Sequence, residues 1–338
     1  MSSSRLVTLI PGDGIGPEIT DAVTAILKAA GAPFTWDVQL GGVAAMDKYG
    51  EPMPQATIDS IRKNGLALKG PLATPIGTGF RSVNVALRAE FGLYANVRPA
   101  RTLVPGRFEN VDIILLRENL EGFYVGLEHY VRVGDDPHGM AIAQGINTKE
   151  GARRIIKYAF ELAVKQGRKK VTVVHKANIL KMLTGIFLET AREVAKDYEG
   201  RVAWDDRIVD AAAMLLVQDP TKFDVIVTTN MFGDILSDLI AGLVGGLGLA
   251  PGGNIGKDAA IFEAVHGSAP DIAGKGIANP TAMLLAGAMM LDHIGDQATG
   301  DRVRNAVLAT LKSGVKTGDL GGKATTKEYA DAVIAALK

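Results

Sequence analysis

The chain has 338 residues, 47% hydrophobic and 22% charged, with 40 glycines and no cysteine. At roughly 150 residues per domain that length suggests two domains, and the composition excludes extended disorder. Balanced charge, 37 basic against 37 acidic residues, leaves no global field for nucleic acid or an anionic membrane. An anionic ligand must therefore be met by a local group of arginines. The lack of cysteine excludes disulfides, thiolate metal sites, iron–sulfur clusters and cysteine nucleophiles, so any metal must take carboxylate or imidazole ligands.

Met1 to Leu6 carries one arginine and runs into Val7–Ile10 without an apolar leader. No run reaches about 18 apolar residues. Neither a secretory signal nor a membrane span is expected, and a cytoplasmic protein with no nucleic-acid or membrane partner is the expectation. Val7–Ile10 reads as a strand. The turn Gly12-Asp13-Gly14-Ile15-Gly16 follows, and Pro17 suits the first position of a helix, where its missing N–H is not needed. Ile19, Val23, Ile26 and Leu27 then form one helical face. Strand, glycine turn and helix invite a dinucleotide-binding reading, and Asp37 lies about 20 residues on, where a ribose-binding acid belongs. The spacing is G-x-G-x-G, however, and Pro17 stands where a third glycine would let helix and strand close up. A purely structural turn is the competing reading.

Later apolar runs repeat the theme. Val111–Leu116, Val171–Val174 and Val225–Val227 are short, bounded and followed by helical patterns. Such alternation predicts an α/β protein with largely parallel strands. Leu127 to Asn147 differs: it is polar, with Gly134-Asp135-Asp136-Pro137 at its middle and β-prone ends. It reads as two strands around a turn, a projecting arm, or else as a long surface loop.

Several residues with chemical potential stand out, some of them at the ends of these runs. Arg88, Arg98 and Arg117 have guanidinium forks that suit carboxylates, although each could equally be a surface ion pair. Ser82 and Asn84 precede Arg88 and could add neutral hydrogen bonds. Arg117 ends the Val111–Leu116 strand, and Tyr124 shortly after it offers a phenolic proton. Lys176 ends the Val171–His175 run, a place for a general base. Asp234 and Asp238 lie at i and i+4 in a stretch that is helix-compatible after Gly233, so both project from one face. Two hard oxygen ligands there suit Mg²⁺ or Mn²⁺. A solvated acidic face is the plainer alternative, but the strand immediately before puts the pair where α/β ligands bind.

Taken together, Ile10–Glu18, Asn230–Asp238, Gly245–Pro251, His266–Gly274, Asn279-Pro280 and Asp319–Gly322 resemble the β-decarboxylating dehydrogenases, the isocitrate/isopropylmalate family that also includes homoisocitrate and tartrate enzymes. The resemblance spans nearly the whole chain. It implies a two-domain α/β fold that is not a Rossmann dinucleotide fold. Residues 1–99 and 253–338 would form a large domain with the cofactor loop, and 100–252 a small one with the arm and the dimer contact. By the same resemblance Tyr124 and Lys176 are catalytic, and Ser82, Asn84, Arg88, Arg98 and Arg117 hold substrate. Asp210, Asp234 and Asp238 hold Mg²⁺ or Mn²⁺. NAD would meet Thr74, His266, Gly267, Ser268, Ala269, Pro270, Asp271, Ile272, Asn279 and Asp319, which makes Gly12–Gly16 a structural turn. Ala73 departs from a Thr-Thr pair found in some members. Lys176 and Asp210 would reach across a homodimer, so that each site needs two chains, and a higher oligomer is possible.

Ser82-Val-Asn84-Val-Ala-Leu-Arg88 resembles the isocitrate type, in which polar groups meet a third carboxylate; isopropylmalate enzymes carry apolar residues there. Leaving such polar groups against an alkyl substituent costs about 1–3 kcal/mol. Asp271 and Ile272 follow Pro270 where NADP-linked members commonly place Lys and Tyr, which implies NAD. The implied reaction is oxidative decarboxylation of isocitrate to 2-oxoglutarate and CO₂. Homoisocitrate is one methylene longer, a difference worth only about 1–3 kcal/mol, and isopropylmalate or tartrate are the further alternatives. Some relatives are non-catalytic regulatory subunits, recognised by loss of site residues, whereas Tyr124, Lys176, Asp210, Asp234 and Asp238 are all present here.

Overall fold

The computed structural model describes residues 4–73 and 82–337. Its strands are β1 (Arg5–Ile10), β2 (Phe34–Val38), β3 (Leu66–Lys69), β4 (Ala95–Arg101), β5 (Asp112–Glu118), β6 (Gly122–Val133), β7 (Asp136–Ile146), β8 (Lys170–His175), β9 (Ala203–Ile208), β10 (Val225–Thr228), β11 (Pro251–Ile255) and β12 (Ala260–Ala264). Its helices are α1 (Gly16–Ala29), α2 (Val43–Tyr49), α3 (Gln55–Asn64), α4 (Val83–Glu90), α5 (Lys149–Lys165), α6 (Gly185–Ala195), α7 (Val209–Gln218), α8 (Asn230–Leu243), α9 (Thr281–His293), α10 (Gln297–Lys312) and α11 (Thr326–Ala335). They form two compact units: residues 1–93, 99–109 and 241–338, and residues 94–98 and 110–240. No helix among the described residues is long and apolar enough to cross a membrane.

In the first unit the strand order is β2-β1-β3-β12-β11. β1 leads through the glycine turn into α1, which has Pro17 in its first turn and buries Ile19, Val23, Ile26 and Leu27. β2, β1, β3 and β12 are mutually parallel, while β11 runs antiparallel to β12. That reversal departs from the parallel expectation for a simple reason. Only Gly256–Ala259 joins the two strands, closed by Gly256 N–H donating to the Ala259 carbonyl at 2.9 Å, and a parallel pair needs a crossover of a dozen residues or more. Ile10, Ile61, Ala67, Leu87, Leu93 and Ile261 share one buried cluster, tying α3 and α4 to the strands.

In the second unit the order is β4-β5-β10-β8-β9, and β5, β10, β8 and β9 are parallel. α5 covers β5 and β10. It starts at an N-cap, Thr148, whose hydroxyl accepts from Gly151 N–H at 2.9 Å. It buries Ile155, Ile156, Ala159, Phe160 and Ala163 along one stripe. Phe160 also stacks on Tyr198 with centroids 4.9 Å apart; burial of such a ring contributes about 1.5–3 kcal/mol.

β6 and β7 form a separate antiparallel pair whose exposed residues dominate, so the arm reading holds over the loop reading. β6 begins at Gly122 rather than Leu127. Two further boundaries differ from the sequence reading. β5 continues through Arg117 to Glu118, with Arg117 in register with Thr228, because its buried partner β10 keeps pairing it. α8 begins at Asn230, not after Gly233. Gly233 sits inside the helix because a Cβ there would come within 2.6 Å of Arg117 Cγ: the glycine permits close approach and does not end the helix.

Candidate active site

In the second unit, three elements bring charge together. β10 passes almost directly into α8, and Asp234 and Asp238 lie one turn apart on that helix. Arg117 reaches them from β5. It is 1% exposed, donates from Nε to Asn230 Oδ1 at 2.9 Å and pairs through Nη1 with Asp234. Arg98 reaches them from β4: its Nη1 lies 2.5 Å from Ser237 Oγ, 3.4 Å from Asp238 and 3.6 Å from Asp234. Tyr124 Oη donates to Asp234 Oδ2 at 2.5 Å, and the Arg117 guanidinium lies 4.9 Å from the centre of its ring. Burial pushes the Asp238 carboxyl up and the neighbouring Asp234 charge adds to that, while Arg98 opposes it. Arg98, Arg117, Tyr124, Asp234 and Asp238 are thus one constellation, and Asn230 and Ser237 join it without having been singled out from the sequence.

Lys176 belongs to a second cluster in the same unit. It follows β8, its backbone N–H donates to Thr184 Oγ1 at 3.1 Å, and its Nζ lies 2.5 Å from Asp210 Oδ1 on α7. That ammonium holds the Asp210 carboxyl below the usual range. His175 buttresses the position, accepting from Ala177 N–H at Nδ1 (3.0 Å) and facing Asp206 with Nε2 (3.0 Å). Among the described residues no three His, Asp or Glu side chains converge in a metal-like group, so one chain brings Asp234 and Asp238 together and keeps Asp210 with Lys176.

In the first unit, Arg88 and Asn84 on α4 face a buried acid. Glu263 on β12 pairs with Lys69 on the adjacent β3 at 2.7 Å, accepts from Asn254 Nδ2 at 2.7 Å, and has Arg88 Nη2 3.9 Å away. Burial by itself would raise the Glu263 carboxyl, but Lys69 and Arg88 outweigh it and hold it at about 2. A cavity of about 10 Å³, lined by Asn84, Arg88, Lys69 and Glu263 among others, has room for about one water. Arg88 Nε and Asn84 Oδ1 are buried there with no partner among the described residues. Ser82 is the N-cap of α4, yet its hydroxyl does not cap the helix. Lys69, Asn254 and Glu263 carry no local signal; strand register alone reveals them.

His266 to Ile272 follow β12 as a loop ending in a 3₁₀ turn over Pro270–Ile272, with Ala269 at φ +39°, a left-handed conformation unusual outside glycine. His266 Nδ1 lies 2.9 Å from the Gly267 carbonyl and must therefore donate to it. That leaves Nε2 as an acceptor, buried and without a partner among the described residues. Burial pushes the imidazole pKa down, favouring the neutral ring. Gly267, Pro270 and Asp271 are exposed. Asn279 Nδ2 donates to Asp319 Oδ2 at 2.9 Å, so these two predicted residues are in direct contact. Thr74 lies outside the described residues.

The described geometry coincides with strong similarities. The isocitrate/isopropylmalate dehydrogenase family model matches residues 6–333. A probable mitochondrial NAD isocitrate dehydrogenase subunit alpha from Drosophila melanogaster is 48% identical over 99% of this chain and 88% of its own length. A 3-isopropylmalate dehydrogenase from Archaeoglobus fulgidus is also 48% identical, over 98% of this chain and 99% of its own. The crystal structure of isocitrate dehydrogenase from Methylococcus capsulatus superposes with a TM-score of 0.94 at 53% identity, covering 98% and 99% of the two chains.

Proposed function

The chain belongs to the isocitrate/isopropylmalate dehydrogenase family, and from that premise we propose that it oxidatively decarboxylates isocitrate with NAD and a divalent cation. The observation that carries the substrate is the lining of α4. Asn84 and Arg88 present buried polar atoms with no partner among the described residues. Arg88 supplies the counter-charge for a carboxylate substituent beside this lining, and the one water the cavity admits satisfies Asn84. An isopropyl group offers Arg88 no such partner and forfeits about 1–3 kcal/mol for the stranded group. Isopropylmalate is the reading to beat, since a relative with that name is as similar as the isocitrate one.

Asp234 and Asp238 offer oxygen-only ligands on one rigid helix, a donor set that suits Mg²⁺ or Mn²⁺ and excludes softer, thiolate-seeking ions. Bound there, such an ion supplies charge stabilisation for the oxyanion that develops as CO₂ leaves. The chain's own residues do the rest. Arg88, Arg98 and Arg117 orient substrate carboxylates. Lys176, once its ammonium has given up a proton, would accept the C2 hydroxyl proton, directly or by relay, and NAD would supply the hydride acceptor. Tyr124 returns a proton to the carbon that lost CO₂. For the cofactor, the free acceptor at His266 Nε2 fits a donor on the adenine edge. The exposed Asp271 accepts from a ribose diol and repels a 2′-phosphate.

Two copies of the chain share each site in this reading, with Lys176 and Asp210 supplied by the second copy. Large apolar side chains lie exposed near Lys176 and Asp210 in sequence, Ile179 and Met182 in the turn after β8 and Met214 on α7, and Ile235 is exposed on α8 beside Asp234, exposure that a self-associating face would cover. Retention of Tyr124, Lys176, Asp210, Asp234 and Asp238 favours a catalytic over a regulatory subunit.

A steady-state panel tests the proposal: the purified single chain with isocitrate, homoisocitrate, isopropylmalate and tartrate, each with NAD and NADP. Isocitrate with NAD should lead in kcat/KM by tenfold or more. A higher value for isopropylmalate overturns the substrate, and no turnover of any of them overturns the catalytic reading.

A further inference from the structure

The Gly12–Gly16 turn is too crowded to be a nucleotide site. A Cβ on Gly12 would collide with the Pro71 carbonyl oxygen, one on Gly14 with that of Ser268 and one on Gly16 with that of Pro11. Three of its amides are also taken: Asp13 N–H donates to the Pro71 carbonyl at 2.7 Å, Ile15 N–H to the Ser268 carbonyl at 2.9 Å and Gly16 N–H to the Asp13 carbonyl at 2.9 Å. What fills the space over Gly12 and Gly14 is the backbone of two other loops of the same unit, and over Gly16 the preceding Pro11 of its own segment.

The two acids of the motif extend this grip. The buried Asp13 carboxylate accepts three backbone N–H groups: Ala73 at 2.8 Å and Val43 at 3.0 Å on Oδ2, and Ala44 at 3.0 Å on Oδ1. Glu18, in the first turn of α1, accepts from Gly276 N–H and Ala278 N–H, both at 3.2 Å. One short segment therefore holds Pro71–Ala73, Ser268 and Gly276–Ala278. Pro71–Ala73 leads in sequence to Thr74. Ser268 precedes the left-handed Ala269, and Ala278 precedes Asn279. A backbone in a sparsely populated conformation persists only where its surroundings over-determine it, and the Ile15–Ser268 hydrogen bond supplies that restraint.

We propose that Gly12–Glu18 is an internal clasp in which Asp13 and Glu18 act as positioning residues, fixing the spacing of the loops that receive NAD. The proposal rests on the cofactor reading given above. It accounts for glycine at Gly12 and Gly14, where φ is +85° and +60°, as room for two crossing backbones and not for a pyrophosphate. It also makes cofactor affinity depend on residues that do not touch the cofactor.

The decisive variant is Gly14→Ala, which forces the Ser268 carbonyl away. Gly50→Ala is its control, because Gly50 has φ +79° with nothing within 4 Å of a would-be Cβ, so it carries a similar backbone penalty without moving a loop. Asp13→Asn, nearly isosteric, removes an anionic acceptor oxygen and serves if Gly14→Ala fails to fold. Two measurements are made on the full-length protein: NADH affinity by fluorescence titration without substrate, and amide hydrogen exchange of peptides covering 66–73 and 266–278. Gly14→Ala and Asp13→Asn should each weaken NADH binding tenfold or more, raise KM for NAD with substrate KM changed less than threefold, and quicken exchange in both peptides. Gly50→Ala should leave all of these within twofold. Unchanged exchange in both variants overturns the clasp. Faster exchange with unchanged NADH affinity overturns the positioning role. If the unmutated protein binds no NADH, the cofactor reading fails, and the exchange data still decide whether the clasp exists.

Discussion

Both units set arginine against carboxylate, with opposite results. In the first, Glu263 is buried between Lys69, Arg88 and Asn254, and cations hold its carboxyl at about 2. In the second, Asp234 and Asp238 share Arg98 and Arg117, and the Asp238 carboxyl, 56% exposed, is pushed up by burial and by its acidic neighbour. The first arrangement is closed around Glu263: Lys69 and Asn254, both at 2.7 Å, occupy its oxygens, while Arg88, 3.9 Å away, keeps a buried Nε with no partner among the described residues. The second is open, with two acids side by side and their outer faces in reach of solvent, which suits it to exchange partners with a cation and an anionic substrate. Burial and the ratio of charges, rather than the residue types, separate a structural ion pair from a candidate site.

The largest effect should come from breaking the closed cluster. Lys69→Met leaves Glu263 buried with Asn254 and, as its one remaining cation, the distant Arg88, and removing one partner of a buried pair costs about 3–5 kcal/mol. Urea unfolding would measure it, and adding Glu263→Gln should restore at least half. The pair also has a pH signature. The Glu263 carboxyl is depressed in the fold, so its contribution is complete above the unfolded value near 4.5 and is lost as pH falls toward about 2. Stability of the unmutated protein should fall across that window, and Lys69→Met should flatten the slope. Equal slopes would place the acid sensitivity elsewhere.

Much of the open cluster was legible because its signals are local. The i, i+4 spacing of Asp234 and Asp238, the strand before them, Pro17 opening α1 and the turn of the arm all lie within a few residues of what they specify. The closed cluster was not legible, since it depends on register: Glu263 meets Lys69 because β12 lies parallel to β3 in one particular alignment. Gly233 misled for a related reason. A glycine ordinarily argues against helix interior, and only the proximity of Arg117, distant in sequence, explains it. The Gly12–Gly16 motif was legible as a turn, but what it holds is non-local.

A third carboxylate, Asp271, is exposed and has no ion pair among the described residues. In the proposed reading it extends the comparison to an acid that acts by repulsion. Asp271→Lys with Ile272→Tyr should lower NAD efficiency and raise NADP efficiency together. Reversing one charge contact in a partly desolvated site is worth about 3 kcal/mol, more than a hundredfold in the ratio of kcat/KM values. An unchanged ratio would remove Asp271 from the specificity site.

Within the open cluster, Asp234→Asn keeps the shape that meets Arg117 and Tyr124 but removes an anionic oxygen. Turnover should fall about a hundredfold, roughly 2.7 kcal/mol, with Tm shifted by only a few degrees, and EDTA should silence the unmutated enzyme. Full activity in excess EDTA would show that no divalent ion is needed. A large loss of Tm without loss of turnover would mark Asp234 as structural, like Glu263.

The smallest effect is expected at Asp37, and its smallness is informative. By spacing alone Asp37 is the acid that should grip a ribose after a glycine turn. Its carboxylate is instead occupied: Oδ1 accepts from Gln39 Nε2 at 2.7 Å, and Oδ2 from Ser60 Oγ at 2.7 Å and Asn64 Nδ2 at 3.2 Å. The Ser60 and Gln39 hydrogen bonds, the leading causes, hold its carboxyl below the usual range. Asp37→Ala removes those contacts, each worth about 1 kcal/mol, so unfolding should shift modestly. The NAD-to-NADP ratio should stay within twofold, because the acid that faces the ribose in this reading is Asp271. If Asp37→Ala relaxes the preference and the Asp271 double variant does not, the nucleotide binds at the N-terminal turn. The cofactor loop would then have to be given up, and with it the role of the clasp in positioning that loop, while the clasp contacts themselves would still be tested by hydrogen exchange.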